Sequence, residues 1–192
     1  LLSGAKQATL LVAEASPAHD YAVQNGYLYE LRTGERCGYC GENLKWVIDH
    51  SPAGTVESVL NFCHHCLNDD KLVDFLDYFE EKGLGIINAS PFSMGLLTQR
   101  GIPDWHPAPK PLVEACAKAA QYCAEQGYPI EKLAIQYSTS LNPRIATTLF
   151  SSANPANVLK NIGYVNDPID LELVAKVKEI IGDQLRVRWK NS

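Results

Sequence analysis

Residues Gly83 to Leu97 read G-L-G-I-I-N-A-S-P-F-S-M-G-L-L. Gly83 is the residue type that closes a helix in the left-handed conformation. Leu84 to Ala89 is a short apolar run, and Ser90-Pro91 stops it because proline has no N–H to give to a sheet. An apolar run between two amphipathic helical patterns predicts a parallel strand covered on both faces. Ligands of such sheets gather at the carboxyl ends of the strands. Ser90, Ser93 and Gly95 therefore sit where an anion would meet free N–H groups and small side chains. An ordinary loop after a buried strand is the plainer reading of the same residues.

The pattern extends in both directions. Upstream, Asp69 and Asp70 are positioned to cap a helix with Leu72, Phe75, Leu76 and Phe79 on one stripe. Val56 to Phe62 predicts a strand, Asn43 to His50 a helix ended by Ser51-Pro52, and Arg36 to Cys40 a further strand. Gly26 to Arg32 reads as a helix, and Thr9 to Ala13 as a strand ended by Ser16-Pro17. Downstream, a long loop that contains Gly101 and is stiffened by Pro103, Pro107, Pro109 and Pro111 carries Trp105 and His106, a candidate lid. His106, like His50, reads as a surface histidine beside a proline. Leu112 to Glu125 is a helix with Cys116, Ala119, Ala120 and Cys123 on one face. Gly127 stops it, and Pro129 opens the next, with Leu133, Ala134 and Tyr137 inward. Ile145 to Phe150 is a strand. Asn154-Pro155 starts a helix with Val158, Leu159 and Ile162 inward, and Asp167-Pro168 the last, with Leu171, Val174, Val177 and Ile181 in register. About four strands, each followed by helix, predict a parallel sheet with right-handed crossovers.

The 192 residues are 46% hydrophobic and 20% charged, enough for one domain with a core. A net charge of −5 argues against nucleic acid or an anionic membrane surface as partner. No stretch has the length of a membrane span. Glu14 and the lack of an initiating Met argue against a signal peptide in Leu1 to Ala15 and suggest that the chain does not begin at a natural start. Six cysteines in a chain of this size read as reduced thiols, so a cytoplasmic protein is expected.

Two constellations carry candidate chemistry. Cys37-x-x-Cys40 and Cys63-x-x-Cys66, the second enclosing His64 and His65, have the spacing of paired zinc ligands. Both pairs, however, fall at the ends of strands rather than on glycine-bearing knuckles, and cysteine is also a common small core residue. Ser151 to Asn161, S-S-A-N-P-A-N-V-L-K-N, is a strand-to-helix junction whose N–H groups and dipole suit an anion. Lys160 and Asn161, two turns on, are placed to reach an adenosine or ribose. His19-Asp20 is a candidate acid–base pair with nothing nearby to fix its geometry.

N-F-C-H-H-C-L-N-D-D (Asn61 to Asp70), Gly83 to Thr98, D-W-H-P-A (Asp104 to Ala108) and I-A-T-T-L-F-S-S-A-N-P-A-N-V-L-K-N-I (Ile145 to Ile162) together resemble the second half of an aldo-keto reductase, in order and at family spacing. The similarity is to the family's aldose dehydrogenase branch, which oxidises sugars such as L-galactose to the lactone. The resemblance implies an α/β protein, the C-terminal half (strands five to eight) of a (β/α)8 TIM barrel, incomplete. It implies a poorly matched segment over 1–31 and an oxidoreductase part-domain over 32–192. It further implies NAD or NADP as cofactor and a small sugar as substrate. Carried over by position, Ser90, Phe92, Met94, Gly95 and Leu96 would embrace the cofactor pyrophosphate. Ser151, Ser152, Asn157, Lys160 and Asn161 would hold its adenosine end. Cys40 would take the place of a family serine near the nicotinamide amide, and C-H-H-C would line the active-site mouth, without metal.

The sequence also departs from that family. Ala89 stands where many members have a tyrosine, Leu60 where many have a glutamine, and Lys160 replaces a common acidic residue. The family's acid tyrosine, with its aspartate and lysine partners, belongs to the first three strands. No D-T-A-x-x-Y-G-like segment precedes Arg32. His19-Asp20 is similar to the His-Asp that follows the fourth strand, but it lies too close to the fifth. No catalytic residue is therefore expected within the chain, because hydride transfer to a carbonyl needs a placed proton donor. Four strands also leave two open edges and an uncovered inner face. The rival readings are a zinc module using Cys37, Cys40, Cys63 and Cys66, and a non-catalytic half-barrel that self-associates through its open sheet edges.

Overall fold

The computed structural model describes residues 10–12, 29–31 and 41–189. Two short strands, β1 (Leu10–Val12) and β2 (Tyr29–Leu31), pair in parallel, Leu11 opposite Glu30. The strand at Tyr29–Leu31 corrects the helix expected over Gly26 to Arg32: Tyr-Glu-Leu alternates apolar and polar, the period of a strand rather than of a helix. The strand expected at Arg36 to Cys40 lies outside the described residues.

Helix α1 (Gly41–Asp49) leads into β3 (Ser58–Phe62), and a 3-10 turn (Lys71–Phe75) runs into α2 (Leu76–Glu81). Gly83, at φ 70°, closes α2 and delivers the chain to β4 (Gly85–Ala89). Helices α3 (Lys110–Glu125) and α4 (Ile130–Ser140) then return it to β5 (Thr147–Leu149). Two further helices follow, α5 (Pro155–Val165) and α6 (Leu171–Ile181). The sheet runs β3-β4-β5, all parallel, with Phe62 opposite Ala89 and Ala89 opposite Leu149.

Among the described residues, only one face of this sheet is covered. Val59 and Ile86 pack on Leu72, Leu76 and Phe79, with Leu44 and Ile48 of α1 against them. The alternate residues point the other way, and Leu60 and Leu149 are 37% and 46% exposed. Among the described residues the apolar runs thus pack as one-sided strands, not as the strands buried on both faces that were expected. The larger core lies among α3, α4, α6 and the loops that follow β3 and β4. There Cys116, Ala119 and Cys123 meet Val174, Val177 and Ile181 as their helical spacing requires.

Helix α5 turns a different face inward from the one its apolar residues suggest. Leu159, Ile162 and Val165 are 71%, 52% and 41% exposed, while Asn161 is buried. The inner stripe is Val158, Asn161 and Tyr164, set against α4, where Gln136 donates to the Tyr164 carbonyl at 3.1 Å. Asn154 caps α5 by accepting the Ala156 N–H at 2.9 Å, and Asp170 caps α6 through Leu173 at 2.9 Å. At the 3-10 turn it is Asp69, not Asp70, that caps, accepting the Lys71 N–H at 2.9 Å.

Candidate functional site at the strand ends

The loops singled out in the sequence meet at one end of the sheet because β4 and β5 are parallel neighbours. The ladder continues past the strands: the Ser90 N–H donates to the Leu149 carbonyl at 3.0 Å. Phe92 and Phe150 then meet edge to face, centroids 6.2 Å apart. Ser90 and Ser151 consequently lie at the same end of the sheet.

From Ser90 the backbone is left-handed at four of six residues, Ser90 (φ 64°), Ser93 (51°), Met94 (56°) and Gly95 (107°). A Cβ on Gly95 would stand 3.3 Å from the Gly101 carbonyl, so both conformation and space call for glycine there. The turn uses its own amides. Ser93 N–H donates to the Ser90 carbonyl (3.0 Å), Gly95 and Leu97 to Phe92 (3.0 and 3.1 Å), and Leu96 to Ser93 (3.2 Å). Met94 N–H donates to Ser90 Oγ at 3.2 Å. The free N–H groups expected at Ser93 and Gly95 are therefore already paired; what has no partner there among the described residues is the buried Ser93 Oγ.

Beyond β5, Ser151 and Asn157 are exposed, and Ser152 Oγ accepts the Asn154 N–H at 3.2 Å. Lys160 stands over the Tyr164 ring, 5.4 Å from its centroid, with Asn161 buried beside it. Cys40 lies outside the described residues, as do Cys37, His19 and Asp20.

The C-H-H-C segment is buried rather than lining an open mouth. His64 Nδ1 donates to Asp69 at 2.8 Å, and the Cys66 N–H donates to the Asp69 carbonyl at 2.7 Å, closing the loop on itself. Burial pushes the Cys63 thiol up to about 12 and Cys66 well above its ordinary value. Among the described residues no three His, Cys, Asp or Glu side chains converge as a metal ion requires.

Several interactions here join residues far apart in sequence, which local patterns do not reveal. Asn61 Nδ2 donates to Asn88 Oδ1 (3.1 Å), and Asn88 Nδ2 to the His65 carbonyl (3.2 Å). That carbonyl also accepts from Ser138 of α4 (2.8 Å). Asp70 accepts from Lys178 Nζ and Arg186 Nε, both at 2.7 Å, tying the β3 loop to α6 and to the segment after it. Burial acts to raise the Asp70 pKa, but Lys178 and Arg186 outweigh it and hold the carboxyl below its ordinary value. His106 proves buried: its Nδ1 accepts the Ala108 N–H at 3.0 Å and its ring packs on Trp189. Trp105, beside it, is 71% exposed. A separate groove of 370 Å³ lies between the Thr98 to Ile102 loop and α3, and of the site candidates only Leu96 reaches it.

Parallel strands in sequential order, helices on one face and polar loops gathered at the carboxyl ends define an α/β protein of the kind built from repeated strand–helix units. The chain belongs to the aldo/keto reductase family, whose sequence profile matches residues 42–182. It is 38% identical to L-galactose dehydrogenase of Arabidopsis thaliana over 183 residues, 93% of this chain and 56% of that protein. It is 31% identical to D-arabinose 1-dehydrogenase of Saccharomyces cerevisiae over 110 residues, 54% of this chain and 33% of that one. The chain thus spans about half or less of the length of these relatives. Among solved structures, the apo form of aldo-keto reductase AKR11C1 from Bacillus halodurans superposes with a TM-score of 0.55 at 16% identity, covering 93% of this chain and 64% of that one. Glycerol dehydrogenase AKR11B4 from Gluconobacter oxydans gives 0.51 at 13% identity, covering 95% and 59%. These two support the fold alone. No helix among the described residues is long and apolar enough to cross a membrane.

Proposed function

We propose that this chain is the cofactor-holding, C-terminal half of a (β/α)8 sugar dehydrogenase, with β3, β4 and β5 as its sixth to eighth strands. On this reading residues 32–192 form the oxidoreductase part-domain, residues 1–31 stand outside it, and the ligand is NAD or NADP. The observation that carries the proposal is the meeting of the Ser90–Leu96 turn with Ser151 and α5 at one sheet end, joined by the Ser90 to Leu149 bond of 3.0 Å. With the turn's amides engaged, side chains do the binding. Ser151, Asn157 and Lys160 are exposed for a ribose or phosphate, and the unpaired Ser93 Oγ lies within the turn assigned to the pyrophosphate. The bound dinucleotide supplies the hydride acceptor. No residue of the chain is assigned the proton transfer, so the substrate, an aldose such as L-galactose, reacts only where a tyrosine-bearing half is also present. Calorimetric titration with NAD and with NADP is expected to show saturable binding of at least one, without turnover of L-galactose. Absence of saturation with both would end this reading.

A second reading concerns partners. The sheet face with Leu60 and Leu149, left open by the described residues, and the stripe Leu159, Ile162 and Val165 on α5 are what a half-barrel leaves for a matching half. Self-association is accordingly expected to rise with concentration in sedimentation runs and to weaken in Leu159→Glu/Ile162→Glu. A monomer at every concentration would rule it out.

A further inference from the structure

The Cys63-x-x-Cys66 pair has no task in the function proposed above, yet both thiols converge on one residue. Cys66 Sγ donates to the Ser90 carbonyl at 3.2 Å, and the Ser90 side chain lies against the Cys63 thiol. Ser90 in turn anchors the left-handed turn, since its carbonyl accepts the Ser93 N–H at 3.0 Å and its hydroxyl accepts the Met94 N–H at 3.2 Å. We propose that Cys63 and Cys66 are positioning residues that grip Ser90 from two sides and thereby template the Ser90–Gly95 turn.

The physical need is clear from the backbone. A non-glycine residue in the left-handed region costs roughly 1–2 kcal/mol and persists only where its surroundings over-determine it. Here Ser90, Ser93 and Met94 all adopt it within five residues. Cys63 is itself left-handed (φ 62°) and donates its N–H to the Ala89 carbonyl at 3.1 Å, which carries the β3 loop across the end of β4. The template is stiff. His64 and Cys66 are both bonded to Asp69, and Asp70 is pinned by Lys178 and Arg186. Burial keeps both thiols protonated, so Cys66 has its S–H to donate and neither sulfur is a ready nucleophile. The consequence for binding rests on the reading that this turn holds the dinucleotide; the grip on Ser90 does not.

Amide hydrogen exchange followed by NMR in the whole chain tests it, with Cys66→Ala, Cys66→Ser and, in parallel, NAD and NADP titrations. In Cys66→Ala, exchange at Ser93 and Met94 is expected to rise about tenfold relative to core amides of α3 such as Ala119, the size of one lost buried hydrogen bond. Cys66→Ser, which keeps a donor, should stay within about threefold of the wild type on the same scale. Dinucleotide affinity should fall in the first variant and recover in the second. If Cys66→Ala does not fold, Cys66→Val takes its place, retaining bulk without a donor, with the same local opening expected. Unchanged exchange at Ser93 and Met94, equal acceleration throughout α3, or failure of Cys66→Ser to restore protection would overturn the proposal. Loss of dinucleotide binding in every form, wild type included, would remove the cofactor reading while the exchange pattern still decided the role of the cysteines.

Discussion

Between pH 6.5 and about 4 the protein is expected to lose about 3 kcal/mol of unfolding free energy through His65 alone. The imidazole is buried, tilted against Tyr137 at 5.4 Å, and neither ring nitrogen has a hydrogen-bond partner among the described residues. Burial is the main cause that depresses its pKa from 6.5 to about 4; Asp70 opposes the shift and Lys178 adds to it. In that window the unfolded chain binds a proton that the native state refuses, so stability is full above pH 6.5 and decays by about 1.4 kcal/mol per unit as pH falls. His65→Phe keeps a ring on Tyr137 and removes the titration. Urea unfolding at pH 7 and pH 4.5 should therefore show a much smaller difference in the variant than in the wild type. His106, depressed in the same direction by burial, leaves a residual slope. An unaltered pH dependence in His65→Phe would refute the assignment.

Asn88→Ala is expected to destabilise the fold by about 3 kcal/mol, because it both opens a cavity and strands a buried amide. Asn88 has no exposed surface. It is the only described side-chain acceptor bonded to Asn61 Nδ2 (3.1 Å), and it donates to the His65 carbonyl (3.2 Å), which keeps Ser138 as its remaining donor. Its loss loosens β3 from β4 at the end that carries the candidate site. A double-mutant cycle with Asn61→Ala isolates the pair, and a coupling of about 1–2 kcal/mol is expected for residues in direct contact. A cost under about 1 kcal/mol for Asn88→Ala would show that the pair contributes little beyond filling space.

The three parallel strands were legible because each run is short and rich in β-branched or aliphatic residues, and because helical patterns separate them. Pro129 and Asn154 likewise stand where helices begin, whereas the last helix starts at Leu171 under an Asp170 cap rather than at Asp167-Pro168. Helix α5 shows the limit of that reasoning. Leu159 and Ile162 read as core by hydrophobicity, yet the face meeting α4 is Val158, Asn161 and Tyr164. The burial of His65 and His106 was hidden too, since it depends on Tyr137 and Trp189, distant in sequence. Of the candidate site, the convergence of the two serine-bearing loops followed from strand order. The pairing of the turn's amides did not, because left-handed conformations at Ser90, Ser93 and Met94 have no signature in residue type. The role of the cysteines was hidden for a related reason: C-x-x-C spacing says nothing about which atom a thiol will face.

The sheet order has a consequence for how the molecule assembles. Strands β3 and β4 pair across fewer than thirty residues, whereas β5 must return to β4 across about sixty. The entropy of closing a chain grows only logarithmically, so the longer span adds about 0.6 kcal/mol and is a delay more than an obstacle. Two helices, α3 and α4, fill most of that span and shorten it as they wind. The β3–β4 pair is thus the natural nucleus. The last strand is then expected to arrive late, so that the two serine-bearing loops meet only in the closing step of folding.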